Sequence, residues 1–424
     1  MWLNPKIAGL LVIVAGAITA GAYVLDGKQD KRVGEIAAIP KAAPAPDSIP
    51  ITHPTLPASH PPVAVARPPP GADARVGRVQ VDPTRAYTHF RVGNNSVISM
   101  YADGTVMWLG TSGGIVRYDT VTREFKMYDA RNGLLSNGIL YLGKLQGKIS
   151  AGTHGGGLSL LNEEAQTWDH YNVPDGLGDA FVYDVLEASS GDVWIATGSG
   201  VNRVRDGALK DRSKWDLNTV DNTGGGLPNN RVYRLAEGRD GSLWFATRGG
   251  LANFQNGIWE NWTHATGLGA RYEGVTHEIA SSNDPSRLPP PHAGQTPQTR
   301  GANARTAFNP NHIAALTVGK DGMVWAGTRG AGLARYDGKA WTNYTVAEGL
   351  PSNQIAALNF DRNDRLWVGT QSGLALFKNG RFRAMTTAHG LLADNVFSVT
   401  TTNDGDLWVG SLGGVAHIRR PALN

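Results

Sequence analysis

The stretch Leu366-Trp367-Val368-Gly369-Thr370, followed by Gly373-Leu374, is the clearest copy of a phrase that occurs seven times in this sequence. The other six copies are centred on Trp108, Ser150, Trp194, Trp244, Trp325 and Trp408. The steps between successive centres are 42, 44, 50, 81, 42 and 41 residues. A period near 40 residues, with strand-forming residues in every unit, predicts a propeller or a solenoid.

The unit around Trp367 contains four short segments that alternate or favour strand, at 355–360, 365–370, 374–377 and 381–386. Turn residues separate these segments, including the hairpin signal Asn379-Gly380. Four short antiparallel strands in about 42 residues are the pattern of a propeller blade. The sequence therefore predicts an all-β protein built from seven such blades.

The last unit lacks a fourth strand, because the sequence ends soon after its third strand at 415–418. Near the start of the repeats, the segment 82–90 matches the fourth strands of the other units but has no blade of its own. We predict that it completes the last blade, a velcro closure that leaves no long exposed sheet edge. The prediction is one seven-bladed β-propeller over 82–420.

The recurring tryptophans and glycines have structural interpretations. A large flat ring fits the wedge between two twisted sheets, so the tryptophans are predicted to pack between blades rather than to form a sugar-binding platform. A glycine precedes the third strand of every unit, as at Gly373, which predicts a tight turn with positive φ.

The first 32 residues have a different character. Residues 7–25 form an apolar or small-residue run of 19, long enough to cross a bilayer. Ala20-Gly21-Ala22 offers a signal-peptide cleavage site, but the apolar run continues to Leu25, which favours an uncleaved transmembrane anchor. Either interpretation predicts export of the rest of the chain. We expect a single-pass protein of the inner membrane with a periplasmic propeller, or a secreted periplasmic protein after cleavage.

Composition defines the next segment and excludes several classes of partner. Residues 33–81 are rich in proline and alanine, which predicts a flexible extended linker or, alternatively, a proline-rich ligand motif. The chain has no cysteine, so it has neither disulfides nor thiolate metal sites. A formal net charge of +4 without a basic run or basic helix excludes nucleic acid as an expected partner.

The repeats resemble the two-component regulator propeller. Its pattern is a Gly-Leu-Pro-x-Asn-x-Val segment, an Asp-x-x-Gly turn and Leu-Trp-Ile-Gly-Thr-x-x-Gly-Leu. The segments 226–232 (Gly-Leu-Pro-Asn-Asn-Arg-Val) and 349–355 (Gly-Leu-Pro-Ser-Asn-Gln-Ile) match it closely. The resemblance implies an extracytoplasmic sensing domain of a membrane kinase or regulator. Because no kinase or DNA-binding segment follows the repeats, we expect any signal to pass through a partner.

Two classes of loop open on one face of a propeller and are the candidate site for a ligand or a partner. The loops between second and third strands contribute Ser112, His154, Arg248, Arg329 and Gln371. The loops that precede the innermost strands contribute Asn137, Asn230, Asn311, Asn353 and Asp394. The ring of Asn and Asp side chains is also what structural Asx turns would require. Arg248 and Arg329 vary between repeats and present planar forks that suit an anion.

The 81-residue step contains an insertion at about 270–308 that replaces one loop of the candidate face. It carries three consecutive prolines and the arginines Arg287, Arg300 and Arg305. Loops of this length are lids, partner-binding arms or segments without a role. We predict that Arg248 and Arg329, on either side of this insertion, point toward the same sector of the channel opening.

No catalytic signature and no metal-ligand spacing stands out, so we expect neither catalytic residues nor a metal or other cofactor. The prediction is a membrane-anchored recognition or sensing module that binds a ligand or protein and acts through a partner. Two alternatives stay open, a lyase-like propeller enzyme that acts on an exported substrate and an assembly scaffold of the cell envelope.

Overall fold

The computed structural model describes residues 76–79, 81, 86–271, 275, 309–378 and 380–420. The unit around Trp367 forms the predicted blade, with antiparallel strands Ile355–Phe360, Leu366–Thr370, Gly373–Lys378 and Arg381–Met385. All five residues of the second strand are buried, as a strand covered on both faces requires.

The same four-strand order recurs in every unit, and strands are numbered in chain order. The innermost strands are the second half of β2 (Tyr87–Asp103), β6 (Ile139–Leu145), β10 (Val182–Glu187), β14 (Val232–Glu237), β18 (Ile313–Val318), β22 (Ile355–Phe360) and β26 (Val396–Thr401). The second strands are β3 (Val106–Thr111), β7 (Lys148–Thr153), β11 (Val193–Thr197), β15 (Leu243–Thr247), β19 (Val324–Thr328), β23 (Leu366–Thr370) and the first part of β27 (Leu407–Ile418). We call the units blades one to seven in this order.

The outer half of each blade follows the same order. The third strands are β4 (Gly114–Asp119), β8 (Leu158–Asn162), β12 (Gly200–Val204), β16 (Gly250–Gln255), β20 (Leu333–Tyr336), β24 (Gly373–Lys378) and the second part of β27. The outer strands are β5 (Glu124–Tyr128), β9 (Thr167–Tyr171), β13 (Trp215–Asn218), β17 (Ile258–Trp262), β21 (Trp341–Tyr344), β25 (Arg381–Met385) and the first half of β2.

Helical structure within the described residues comprises seven 3-10 helices of three residues each and the 3-10 residue Arg420. The seven helices are Ala130–Asn132, Val173–Asp175, Arg205–Gly207, Arg212–Lys214, His264–Thr266, Val346–Glu348 and Thr387–His389. None of the described helices is long and apolar enough to cross a membrane. The predicted anchor at 7–25 lies outside the described residues, as do most of the linker 33–81 and most of the insertion.

The ring of blades is closed by β2, which belongs to two blades. Its residues Tyr87–Arg91 pair antiparallel with Gly414–Ile418 of blade seven, whereas Val97–Asp103 pair with β3 of blade one. Each innermost strand contacts the next one around the ring, and β26 contacts β2. The predicted closure by an early strand is therefore present, at 87–91 rather than 82–90.

The end of the predicted linker differs from the prediction. Val76–Arg78 form β1, which pairs antiparallel with the outer strand β5 of blade one. The Arg78 Nε group donates a hydrogen bond to the Thr122 carbonyl oxygen at 3.1 Å, and the Val79 side chain packs against the core of the adjoining blades. Residues 76–79, which the sequence analysis placed in the flexible linker, thus find both apolar cover and backbone partners.

Tryptophan packs between blades, as predicted from the repeat. Trp194 of blade three lies 5.3 Å from the Phe245 ring of blade four, between ring centroids, and is 1% exposed. Trp408 of blade seven stacks on Phe90 at 5.3 Å and is fully buried, so the closing strand also completes a core cluster. The regularly spaced tryptophan rings therefore stabilise the packing of the propeller.

Candidate functional site

The two predicted classes of loop meet on one face, which we call the mouth. In blade four the Arg248 backbone N–H donates to the Arg231 carbonyl oxygen at 3.1 Å. The same pairing in blade five joins the Arg329 N–H to the His312 carbonyl oxygen at 2.9 Å. Blades two and six show the same pairing, from the His154 N–H to the Gly138 carbonyl oxygen at 2.8 Å and from the Gln371 N–H to the Gln354 carbonyl oxygen at 3.1 Å.

The predicted Asn and Asp ring has a structural task. In each case the side-chain Oδ1 accepts a hydrogen bond from a backbone N–H of the preceding turn, at 2.6 to 3.0 Å. The pairs are Asn137 with Ala130, Asn230 with Val220, Asn311 with His264, Asn353 with Val346, and Asp394 with Thr387. These hydrogen bonds hold the turn that leads into each innermost strand, so the ring supports the mouth through its oxygen atoms.

This assignment predicts the behaviour of variants at Asn230. Asn230→Ala is expected to lower the free energy of unfolding by about 1 kcal/mol, the usual cost of losing a side-chain cap. Asn230→Asp should retain most of that stability, because Asp394 already accepts the equivalent hydrogen bond in blade seven. Urea denaturation of the two variants and the parent chain measures the difference. Equal loss in both variants would contradict the capping role.

Arg248 and Arg329 converge with two residues that the sequence analysis missed, Arg231 and His312. Burial is the larger cause that lowers the pKa of the His312 imidazole to about 4. The positive charges of Arg329, Arg248 and Arg231 act in the same direction, so all three guanidinium groups lie near this one ring. Arg248 and Arg329 thus lie around the same ring, and that they point toward one sector of the channel opening stays a prediction. His312 is a neutral ring at neutral pH.

Aromatic rings form the floor of this sector. The His312 ring stacks on Tyr233, with centroids 4.7 Å apart and an interplanar angle of 12°. Tyr233 meets the Tyr183 ring edge to face at 5.2 Å. Both tyrosines come from the bulged position of an innermost strand, where the register with the second strand shifts. The bulges therefore leave both tyrosines outside the regular pairing with the second strand.

A cavity of about 520 Å³ opens beside the arginines. Its lining is polar and comprises Gly198, Val220, Asn229, Asn230, Arg231, Arg248, Gly249, Asn309 and Asn311. Three of the predicted residues, Arg248, Asn230 and Asn311, thus share one cavity. The side chains of Arg231, Arg248 and Arg329 are exposed, and none of the three has a hydrogen-bond or ion-pair partner within the described residues.

The other predicted residues lie in different sectors of the mouth. His154 is in blade two, where its ring packs edge to face against Phe181 at 4.4 Å. Ser112 is in blade one and donates a hydrogen bond from Oγ to Asn95 Oδ1 at 3.1 Å. Gln371 is exposed in blade six. None of these three side chains lines the cavity beside Arg248.

Below the mouth, the innermost strands enclose a cavity of about 190 Å³ around the axis. Its lining is mainly aliphatic and includes one oppositely charged pair, Asp184 of blade three and Arg234 of blade four. Asp184 Oδ2 accepts a hydrogen bond from the Leu235 N–H at 2.9 Å, and Arg234 Nη1 donates to the Tyr183 carbonyl oxygen at 2.9 Å. Each charged side chain thus crosses to the neighbouring blade and holds the strand that carries a floor tyrosine.

Burial raises the pKa of Asp184 to about 6, and the positive charge of Arg234 opposes this effect. The sequence analysis also missed this pair. One signal was available, because Asp184 and Arg234 occupy a repeat position that is Ala315 or Ala357 in other blades.

Family comparison agrees with this architecture. The model of the two-component regulator propeller matches residues 226–249 and 349–372, each of which spans the innermost and second strands of one blade. These two segments match the two-component regulator propeller repeat. No curated protein matches the sequence.

Solved structures show the same fold at low identity. The extracellular domain of the hybrid two-component system BT3049 from B. thetaiotaomicron is 21% identical, with a TM-score of 0.60 over 79% of this chain and 41% of that chain. Virginiamycin B lyase from Staphylococcus aureus is 11% identical, with a TM-score of 0.54 over 78% of this chain and 98% of that chain. YCF48 from Cyanidioschyzon merolae is 10% identical, with a TM-score of 0.51 over 80% and 99%. This chain thus spans about two fifths of the B. thetaiotaomicron domain, and the likeness concerns the fold.

Proposed function

We propose that this chain is an extracytoplasmic recognition module that binds its ligand or protein partner at the mouth over blades three to five and acts through a partner protein. The observation that carries the proposal is the group of three exposed guanidinium groups around His312, none with a partner within the described residues. Positively charged arginines that lie close together repel one another, which lowers the stability of the folded propeller. A bound anion offsets this repulsion.

The proposal includes a division of the chain. Residues 1–32 anchor it in the inner membrane, or are cleaved as a signal peptide. Residues 33–75 form an extended tether, and the propeller follows to residue 420 in the periplasm. The apolar run at 7–25 supports the anchor, and the proline content supports the tether. The insertion at 270–308 interrupts the segment that leads into β18, the innermost strand of blade five, and that segment contributes Asn311 to the mouth.

The extracellular domain of a hybrid two-component system shares the fold, which supports sensing as the role. In such a role, binding at the mouth changes the interaction with a second protein, because signalling needs an output that a propeller alone does not supply. The repeats and the export signal are both consistent with that arrangement.

A lyase-like enzyme is the alternative that one observation favours, since virginiamycin B lyase shares the fold. His312 is the side chain at the mouth best placed to act as a base. A pKa of about 4 makes it a weak base at neutral pH, far from the value that general base catalysis favours. Within the described residues, no group of three or more His, Asp or Glu side chains is arranged to hold a metal ion. Recognition is therefore better supported than catalysis.

Crosslinking in whole cells tests the proposal. A membrane-impermeant crosslinker applied to cells that express the full-length protein is expected to join it to a defined partner, because the propeller lies outside the cytoplasm. The double variant Arg248→Ala with Arg329→Ala should lose most of that adduct, while Arg362→Ala, exposed at a turn on the opposite face, should retain it. Adducts of equal yield in all three proteins would remove the mouth from the recognition role, and no labelling at all would contradict the extracytoplasmic location.

A further inference from the structure

The cavity beside Arg248 is lined by asparagines whose orientation is fixed by their hydrogen bonds. Asn229 Oδ1 accepts from the Arg231 N–H at 3.0 Å, and Asn230 Oδ1 accepts from the Val220 N–H at 2.7 Å. Asn311 Oδ1 accepts from the His264 N–H at 2.6 Å. A backbone N–H can only donate, so the atom bonded to it must be the carboxamide oxygen. The Nδ2 groups of these three asparagines are therefore left as donors.

These amide groups add to the guanidinium groups of Arg231 and Arg248, for which the described part of the chain supplies no acceptor. Within the described residues, no hydrogen-bond acceptor is paired with the Nδ2 groups of Asn229, Asn230 and Asn311. The Asp179 carboxylate, which an added Cβ on the lining residue Gly198 would approach to 2.6 Å, already accepts hydrogen bonds from the Phe181 N–H at 2.9 Å and the Ser199 hydroxyl at 3.0 Å. The side chains that face the cavity thus present donors and positive charge without a matching acceptor.

We propose that this cavity binds a small molecule that carries two or more carboxylate, phosphate or sulfate groups. The inference rests on the proposed role of the mouth as the recognition face and specifies the class of ligand. Arg231 and Arg248 hold one anionic group through charge-assisted hydrogen bonds, with the asparagine amides as further donors. Arg329, across His312 in the next blade, receives a second group.

The number of charges follows from the number of arginines. A single negative charge would leave two of the three guanidinium groups repelling each other near the same imidazole ring. A ligand with at least two anionic groups compensates more of that charge at once. A volume of about 520 Å³ lies in the range of sites for small ligands, which favours a compact molecule over the flat surface of a folded partner.

Calorimetric titration of the purified full-length protein tests this inference. The probes are citrate, pyrophosphate and sulfate, with acetate as the monovalent comparison, all at one ionic strength so that general screening is equal. We expect at least one of the multivalent probes to bind with a dissociation constant ~10-fold or more below that of acetate. Tighter binding of citrate or of pyrophosphate identifies carboxylate or phosphate as the group recognised, whereas tightest binding of sulfate, a single divalent group, would contradict the requirement for two groups.

Charge-matched variants assign the binding to this cavity. Arg231→Gln with Arg248→Gln should raise the dissociation constant by about 10-fold or more, the usual effect of removing charge-assisted hydrogen bonds. Arg362→Gln removes an exposed arginine from the opposite face and should leave affinity unchanged. Circular dichroism and urea denaturation confirm that both variants are folded.

Two results would overturn the inference. One is equal affinity for acetate and every multivalent probe. The other is tight binding of an acidic peptide such as tetraglutamate with no binding of the small anions, which would make the cavity a protein-binding site. Because these titrations use the isolated protein, small-anion binding without a crosslinked partner in cells would leave this inference standing and contradict the proposed function. A crosslinked partner in cells without binding of the small anions would leave the proposed function standing and contradict this inference.

Discussion

A chain that lacks residues 86–92 is expected to lose cooperative unfolding and to aggregate, whereas a chain that lacks residues 33–75 should unfold at the temperature of the intact protein. The first deletion removes Tyr87–Arg91, the outer strand of blade seven, and exposes the long edge of Gly414–Ile418. It also removes Phe90, which is buried and stacks on Trp408. Loss of one buried aromatic side chain costs about 3–5 kcal/mol, and the ladder hydrogen bonds are lost in addition.

A single substitution tests the same closure without shortening the chain. Gly414 has φ of +152°, and an added Cβ would lie 2.0 Å from the Phe90 carbonyl oxygen of the closing strand. Gly414→Ala is therefore expected to destabilise the propeller by several times the ~1–2 kcal/mol that a left-handed residue costs alone. Gly104→Ala is the matched control, because Gly104 has φ of +60° and nothing within 4 Å of an added Cβ.

Thermal unfolding followed by circular dichroism measures the melting temperature of the two deletion variants, the two glycine variants and the intact protein. Size-exclusion chromatography measures their aggregation. Equal melting of the two deletions would contradict the closing role of residues 87–91. Equal destabilisation by the two glycine substitutions would show that the approach of Gly414 to Phe90 is unimportant.

Two groups, one in blade three and one in blade five, are expected to give opposite pH dependence of stability. The Asp184 carboxyl has its pKa raised from 3.8 to about 6, so the folded protein binds more protons than the unfolded chain between these values. The free energy of unfolding therefore falls as pH rises from about 4 to about 6. His312 has its pKa lowered from 6.5 to about 4, so the folded protein binds fewer protons and the free energy of unfolding rises over nearly the same interval.

The two contributions largely cancel in the parent protein. At about 1.4 kcal/mol per pKa unit, each integrates to on the order of 2–3 kcal/mol. Asp184→Asn should leave the rise from His312, so this variant gains stability relative to the parent as pH increases through the interval. His312→Gln should retain the decrease in the free energy of unfolding that Asp184 causes, so this variant loses stability relative to the parent as pH increases through the same interval. Urea denaturation at several pH values measures each difference, and parallel pH profiles for parent and variants would contradict both assignments.

Much of the frame could be predicted from the sequence because the repeat encodes it. Strand alternation, turn residues and the spacing of tryptophans such as Trp367 act locally in each blade, so one unit predicts the others. The unmatched segment near 82–90 revealed the closure for the same reason. Val76–Arg78 were missed because three residues beyond a proline-rich stretch give no periodicity, and only the exposed edge of β5 makes them a strand.

The site was predicted less completely, for a physical reason. The Asn residues that recur in the repeats were predicted as site residues. They recur because each one makes the same structural hydrogen bond in its blade, as Asn230 does. The residue that follows, Arg231 or His312, differs between blades and faces the mouth. Arg231 and His312 lie near Arg248 because blades four and five are adjacent in the ring, although 81 residues separate their repeat centres in the sequence. This proximity follows from the folded ring and not from a local sequence pattern.

The pairing of Tyr87–Arg91 with Gly414–Ile418 also sets the timing of folding during synthesis. The closing strand emerges from the ribosome long before its partner, since even the contact of His89 with the Gly390 carbonyl oxygen joins residues 301 positions apart. At about 5–20 residues per second, the strand waits on the order of 15–60 seconds for the rest of blade seven. During that interval its amides are available to any other β-edge. A chain that crosses a membrane in extended form before folding meets this delay outside the cytoplasm, where a holdase chaperone that covers the early strand would govern the yield of closed rings.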